Sequence, residues 1–240
     1  MRIAVLSDIH SNLIALDAVL ASIGTVDAVW QLGDIVGYGP QPDAVVERLV
    51  ELGAIGVRGN HDAAAVGGSE IEYFNVDARR AIEWTRRVIR PETVAYLAAL
   101  PERLVEDEIT MVHGSPREPT WEYVTSVTIA RASFAAFATR VCLHGHTHIP
   151  AVFRDDRGTI ELVTPGHGTT LTLDERRVLV NPGSVGQPRD GDPRASCAVI
   201  DTDRSEVTWH RVAYDITAVQ AAMRAVDLPP RLIARLDHGL

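Results

Sequence analysis

Five short apolar runs, each ending at an Asp, Asn or His, constrain this chain more than any other feature of its sequence. Ile3-Ala4-Val5-Leu6 leads to Asp8 and His10, and Ala28-Val29-Trp30-Gln31-Leu32 leads to Gly33-Asp34. Ala54-Ile55-Gly56-Val57 leads to Gly59-Asn60-His61-Asp62, Met111-Val112 to His113-Gly114, and Val141-Cys142-Leu143 to Gly145-His146-Thr147-His148. Runs this short and this apolar read as buried strands. Leu13, Leu16, Val19 and Leu20 recur at helical spacing behind Ser11 or Asn12 as a cap, and a second helix is predicted over Ala44 to Leu52. Strand alternating with helix predicts a parallel sheet covered on both faces. Ligand sites in such sheets lie outside the carboxyl ends of the strands, so the five loops should converge on one place. The glycines beside the polar residues are expected to supply the tight or left-handed backbone that aims those side chains inward.

The remaining chain divides by periodicity. Ala78, Ile82, Trp84 and Val88, then Val94, Leu97 and Leu100, form apolar faces of a helical insertion at about 70–100, with Pro91 opening its second segment. A helix is predicted over Thr128 to Ala138. Beyond Pro150 the pattern becomes period-two: Ala151 to Arg154, Thr159 to Val163, Arg177 to Val180, Ser196 to Asp201 and Glu206 to Arg211 read as mostly antiparallel strands. With no repeat and no low-complexity linker, residues 1–240 read as one domain with a helical tail from about 215.

Charge and composition then exclude whole classes of function. Thirty-two acidic against 23 basic residues give a formal charge of −9, so the surface should repel nucleic acid and anionic membrane, and an anionic ligand needs a local positive site. All 23 basic residues are Arg, which removes Schiff-base chemistry and a lysine-bearing phosphate loop. Cys142 and Cys197 stand far apart and read as buried thiols rather than a disulfide or zinc ligands. The first apolar run is too short for a signal peptide, and no segment approaches a membrane span, so a cytoplasmic protein is expected.

The five polar blocks, in their order, resemble the calcineurin-like metallophosphoesterase superfamily: Asp8-Ile9-His10, Gly33-Asp34, Gly59-Asn60-His61-Asp62, His113-Gly114 and Gly145-His146-Thr147-His148. The resemblance spans residues 8–148 and implies an α/β sandwich of two mixed β-sheets packed face to face with helices outside. It also implies two divalent metal ions, with Asp8, His10, Asp34 and His148 on the first and Asp34, Asn60, His113 and His146 on the second. The shared Asp34 carboxylate would offset the repulsion between cations about 3.5–4 Å apart. Imidazole and carboxylate ligands suit Mn, Fe, Zn, Co or Ni. A water bridging the metals would become the hydroxide nucleophile, so no side-chain nucleophile is required.

His61, between Asn60 and Asp62, is then expected at the phosphate group or the leaving oxygen as a general acid. Asp62, Arg58 and His144 are candidates for supporting the ligands or meeting substrate: His144 from behind a ligand, Arg58 as a cation or a structural ion-pair partner. The Gly/Pro-rich loop from Asn181 to Arg189 resembles a family loop at the rim of the site. Trp121 and Tyr123, with Tyr73 and Phe74, could join it in a substrate cap or simply pack the insertion. The Asp-Arg pair of the protein serine/threonine phosphatase branch is missing, since Gly33-Asp34-Ile35-Val36 runs into Gly37-Tyr38-Gly39. The expected activity is therefore hydrolysis of a small or nucleotide-like phosphodiester. A phosphomonoesterase and a non-catalytic protein-binding scaffold on the same fold are the alternatives.

Overall fold

The computed structural model describes all 240 residues, the side chains of Ser69 and Glu70 excepted. Two six-stranded mixed sheets carry the fold. In the first, β1 (Arg2–Leu6), β2 (Ala28–Gln31) and β3 (Ile55–Gly56) run parallel, and β1 continues through antiparallel β11 (Ala195–Asp201) and β12 (Glu206–Val212) to β9 (Thr170–Thr172). In the second, β5 (Ile109–Val112), β6 (Val141–Leu143) and β10 (Arg177–Asn181) are parallel. Antiparallel β4 (Arg103–Glu106) lies on one side of them, and β7 (Ala151–Asp156) and β8 (Thr159–Val163) on the other.

Strand alternation explains how one run serves two cores. Ile3 and Val5 point toward the second sheet and pack with Trp30, Met111, Leu143, Val180 and Trp209. Their neighbours Ala4 and Leu6 point the other way, against Ala15, Leu16 and Val19 of α1 (Leu13–Ser22) and Val45, Val46 and Leu49 of α2 (Pro42–Glu51). The first sheet is thus covered by helices on one face and by the other sheet on the opposite face, which is the expected sandwich rather than a helix-flanked parallel sheet. Asn12 fixes the start of α1, its Oδ1 accepting from Ala15 N at 3.0 Å.

The insertion comprises a 3₁₀ turn at Ser69–Tyr73, α4 (Val76–Val88) and α5 (Pro91–Ala99); α3 (Asn60–Ala65) precedes it and α6 (Val127–Ser133) follows β5. The tail forms α7 (Ile216–Ala225) and α8 (Pro230–Ala234). Val219, Met223, Leu232, Ile233 and Leu236 of the tail bury themselves against Ala78 and Ala81 of α4 and against Tyr38. At roughly 1.5–3 kcal/mol per fully buried aliphatic side chain, that contact is ample to hold the tail beside the loops that follow β1 and β2. No helix among the described residues is long and apolar enough to cross a membrane.

Candidate metal centre

The polar blocks meet at one end of the sandwich. Asp8, His10, Asp34 and His148 present ligand atoms that all lie within 4.8 Å of one another, and Asp34, His113 and His146 form a second such group. Asp34 belongs to both: its Oδ2 is 3.7 Å from His10 Nε2 and 3.4 Å from His113 Nε2. Asn60 joins the second group, its Oδ1 3.0 Å from His113 Nε2. Every one of these side chains is buried.

The histidine partners reveal what the groups can hold. His10 Nδ1 lies 3.2 Å from Val36 O, His148 Nδ1 2.6 Å from Gln187 O, His113 Nδ1 2.8 Å from Leu32 O, and His146 Nε2 3.2 Å from Trp121 O. A carbonyl only accepts, so each of those nitrogens donates the ring's proton and the opposite nitrogen turns a lone pair inward. The inward nitrogens face each other in pairs, His10 Nε2 with His148 Nε2 at 3.1 Å and His113 Nε2 with His146 Nδ1 at 3.0 Å. Such pairs repel unless positive charge sits among them, and an imidazole fixed by a backbone carbonyl is the usual support of a metal ligand. Asp8 fits the same pattern: Oδ2 accepts from Ser7 Oγ and His146 N, while buried Oδ1 accepts no hydrogen bond and lies 3.2 Å from His148 Nε2. The donor set therefore fits divalent cations.

The buried carboxylates draw positive charge into the cluster, as a cation or as a proton on His113. Burial opposes charge on His113, yet Asp34, with Asp8 behind it, raises that imidazole to about 9. Burial likewise works against the Asp34 carboxylate, but His113, His61 and His10 hold it well below the usual carboxylate range. Burial dominates at His146, pushed down to about 3, and at His61, pushed down to about 4 despite the pull of Asp34.

The loops hold this geometry in unusual backbone. Asp8, His10, Asp34, His146 and His148 have φ of 52°, 49°, 52°, 65° and 61°, in the left-handed region where non-glycine residues are uncommon and concentrate at functional sites. Of the glycines expected to supply this conformation, Gly33 does so at φ +87° while Gly59, Gly114 and Gly145 do not, and the clustered Asp and His residues adopt it themselves. Gly59 has an ordinary φ of −88° and is small because a Cβ there would meet the Asp34 carboxylate. Gly37 does need its freedom, with φ +92° and a Cβ that would meet His61 Nδ1.

The other candidates separate. His61 is buried, its ring flanked by Tyr38, Phe74 and His10 at centroid distances of 4.4, 4.6 and 4.8 Å, and its backbone N donates to Asp34 Oδ1 at 2.8 Å. Asp62 accepts from Val36 N and Gly59 N, tying the second and third loops together, and burial followed by Asp34 raises its carboxyl to about 7. His144 lies buried behind the ligands, 3.4 Å from Asn181 Nδ2, which also donates to Gly145 O. Arg58 is not at the site: its guanidinium reaches Ala98 O at 3.4 Å and Glu102 at 3.5 Å on the outer surface, so its place as a cation is withdrawn.

A cavity of about 180 Å³ opens over Asp34, Asn60, His61, His146 and His148. Tyr73, Phe74, Trp121 and Tyr123 wall it on the insertion side, Tyr123 stacked on His146 at 3.8 Å between centroids. The cations on this cavity are Arg189 and Arg235. Sequence reasoning had Arg189 only as the end of the rim loop and missed Arg235 altogether, because no spacing links the tail to the loops it packs beside.

A two-sheet α/β sandwich bearing clustered imidazoles and carboxylates at one end is a metal-binding hydrolase architecture. The chain belongs to the calcineurin-like phosphoesterase superfamily, whose domain model matches residues 1–205. Members of this family are metal-dependent phosphoesterases. A metallophosphoesterase from Sphaerobacter thermophilus is 45% identical, with a TM-score of 0.93 over 100% of this chain and 99% of that one. A hypothetical protein from Pyrococcus horikoshii shares the fold at a TM-score of 0.80 and 23% identity, covering 100% of this chain and 98% of its own. An uncharacterised protein of Methanocaldococcus jannaschii is 38% identical over 251 residues, 99% of this chain and 98% of its own length.

Proposed function

We propose that this protein hydrolyses a small or nucleotide-like phosphodiester with two divalent cations. One observation carries the reading: two groups of inward lone pairs meet at a single carboxylate, Asp34. Asp8, His10, Asp34 and His148 would hold one ion, and Asp34, Asn60, His113 and His146 the other. When bound, such a pair supplies an acidified water as nucleophile and stabilises charge on the phosphoryl oxygens. His61 then serves the substrate directly. Clamped between Tyr38 and Phe74, its ring is oriented at the cavity without belonging to either ligand group, so it can give a hydrogen bond to the departing oxygen, and a proton once the negative charge of a bound phosphate offsets the burial that pushes it down to about 4. The rings of Trp121 and Tyr123 offer faces on which an aromatic group of the substrate can lie.

The test is a substrate panel after reconstitution with Mn, Fe, Zn, Co or Ni. Bis(4-nitrophenyl) phosphate should be cleaved with higher kcat/KM than 4-nitrophenyl phosphate, and a chelator should remove both activities. The position of Arg189 on the cavity favours one alternative, a phosphomonoesterase, and a reversed preference would establish it. No cleavage of either ester with any of the metals would contradict the reading.

A further inference from the structure

The cavity does not end above the ligands. A neighbouring cavity of about 620 Å³ shares Asn75 and Arg235 with it and adds Arg231, so a ligand seated over the His/Asp cluster has room to extend past Arg235. Arg235 lies on the tail, beyond the end of the family domain at residue 205. The tail is held there by buried Leu232, Ile233 and Leu236, and by Gln220 Nε2 donating to Ile233 O at 3.0 Å.

Arg189 and Arg235 both line the cavity, and their side-chain partners among the described residues are Gln187, Tyr38 and Leu240, with no Asp or Glu among them. Arg189 Nη2 donates to Gln187 Oε1 at 3.1 Å and lies 3.4 Å from Tyr38 Oη, its Nε is buried without a partner, and the guanidinium lies over the Tyr38 ring at 5.7 Å. Arg235 donates to the backbone oxygen of Leu240. Burial, and then the nearby charge of Arg189, lower the pKa of Arg235. Two guanidiniums lining one cavity, in a chain of net charge −9, mark a local positive site. Their planar donor forks match phosphate oxygens.

We propose that Arg189 and Arg235 form a second anion subsite that takes a phosphate remote from the cleaved bond, making the substrate a nucleoside phosphodiester that carries an additional phosphate. This rests on the phosphodiesterase reading above and adds the substrate class to it. The subsite sets specificity, and the aromatic rings lining the cavity offer a face for the base.

The test compares thymidine 5′-(4-nitrophenyl phosphate) with the same ester bearing a 3′-phosphate, since bond and leaving group are identical. The Mn-loaded protein should prefer the 3′-phosphorylated ester by about ten- to hundredfold in kcat/KM, the worth of charge-assisted hydrogen bonds. Arg189→Gln and Arg235→Gln should each cut that ratio at least fivefold, Arg235→Lys should restore part of it, and added salt should lower it. Because both esters are measured on one sample, loss of folded protein cancels from the ratio. A ratio near one in the unaltered protein, or a ratio unmoved in both Gln variants, overturns the subsite while leaving the phosphodiesterase reading intact. If neither ester is cleaved, that reading fails. Equilibrium binding then decides the subsite: thymidine 3′,5′-bisphosphate must bind at least tenfold tighter than the 5′-monophosphate, and equal affinity overturns it.

Discussion

At the floor of the cavity, Asp8, Asp34, His113 and His148 follow strands β1, β2, β5 and β6, are fully buried and tied to backbone groups, and in three cases are held in left-handed backbone. At the rim, Tyr73 is 80% exposed, Tyr123 is 45% exposed, and the two arginines come from a loop and from the terminal helices. The floor is over-determined and the rim is adjustable. Chemistry that tolerates little displacement belongs on the first, and selection among substrates on the second.

Changes at the floor should therefore be all-or-none, and the largest effect is expected from Asp34→Asn. Asn keeps the shape and accepts left-handed backbone, so only the shared charge is lost. Activity should be abolished and the affinity for both ions should fall; near-normal turnover would remove Asp34 from the bridging position. His61→Ala comes next. It should lower turnover by roughly 10²–10⁴ while metal content stays unchanged, and the loss should be smaller with a nitrophenolate leaving group than with an alkoxide. An equal loss on both would point to phosphate gripping rather than proton donation.

A third change reaches the floor without touching a ligand. Gly37→Ala places a methyl against His61 Nδ1 at a φ of +92°, so the ring must shift. Misplacement on the scale of 1 Å can cost about 10² in rate, and that is the loss expected in kcat with two ions still bound. Unaltered kcat would show that the orientation of His61 does not matter. The smallest effect belongs outside both regions: Arg58→Ala removes a surface pair with Glu102 and a long hydrogen bond to Ala98 O, so kcat/KM should hold within about twofold and stability within about 1 kcal/mol by denaturant titration. A larger fall in kcat/KM would return Arg58 to the site.

The floor was legible in the sequence because each ligand follows a buried strand, and strand ends converge whatever lies between them. What covers β1 was not legible: Ile3, Ala4, Val5 and Leu6 are apolar on both faces, and apolar residues do not say whether a helix or a sheet lies opposite. Strand β9, three residues long, and the β4–β5 hairpin escaped notice as well. Its turn places Asp107, not a glycine, at φ 48°, so the usual turn signature is missing. At the rim the sequence points to Tyr73, Phe74, Trp121, Tyr123 and the loop ending at Arg189, and these do line the cavity. Arg235 alone stayed hidden, because it arrives through the packing of the tail on α4 and Tyr38, a contact with no periodicity to betray it.

The central claim is that two ligand groups share one carboxylate, and metal stoichiometry tests it most directly. Purified protein stripped with chelator, reloaded with excess Mn and freed of unbound ion should contain two ions per chain by elemental analysis. Asp34→Asn treated in parallel should retain fewer. A content that never exceeds one ion per chain in the unaltered protein would contradict the account.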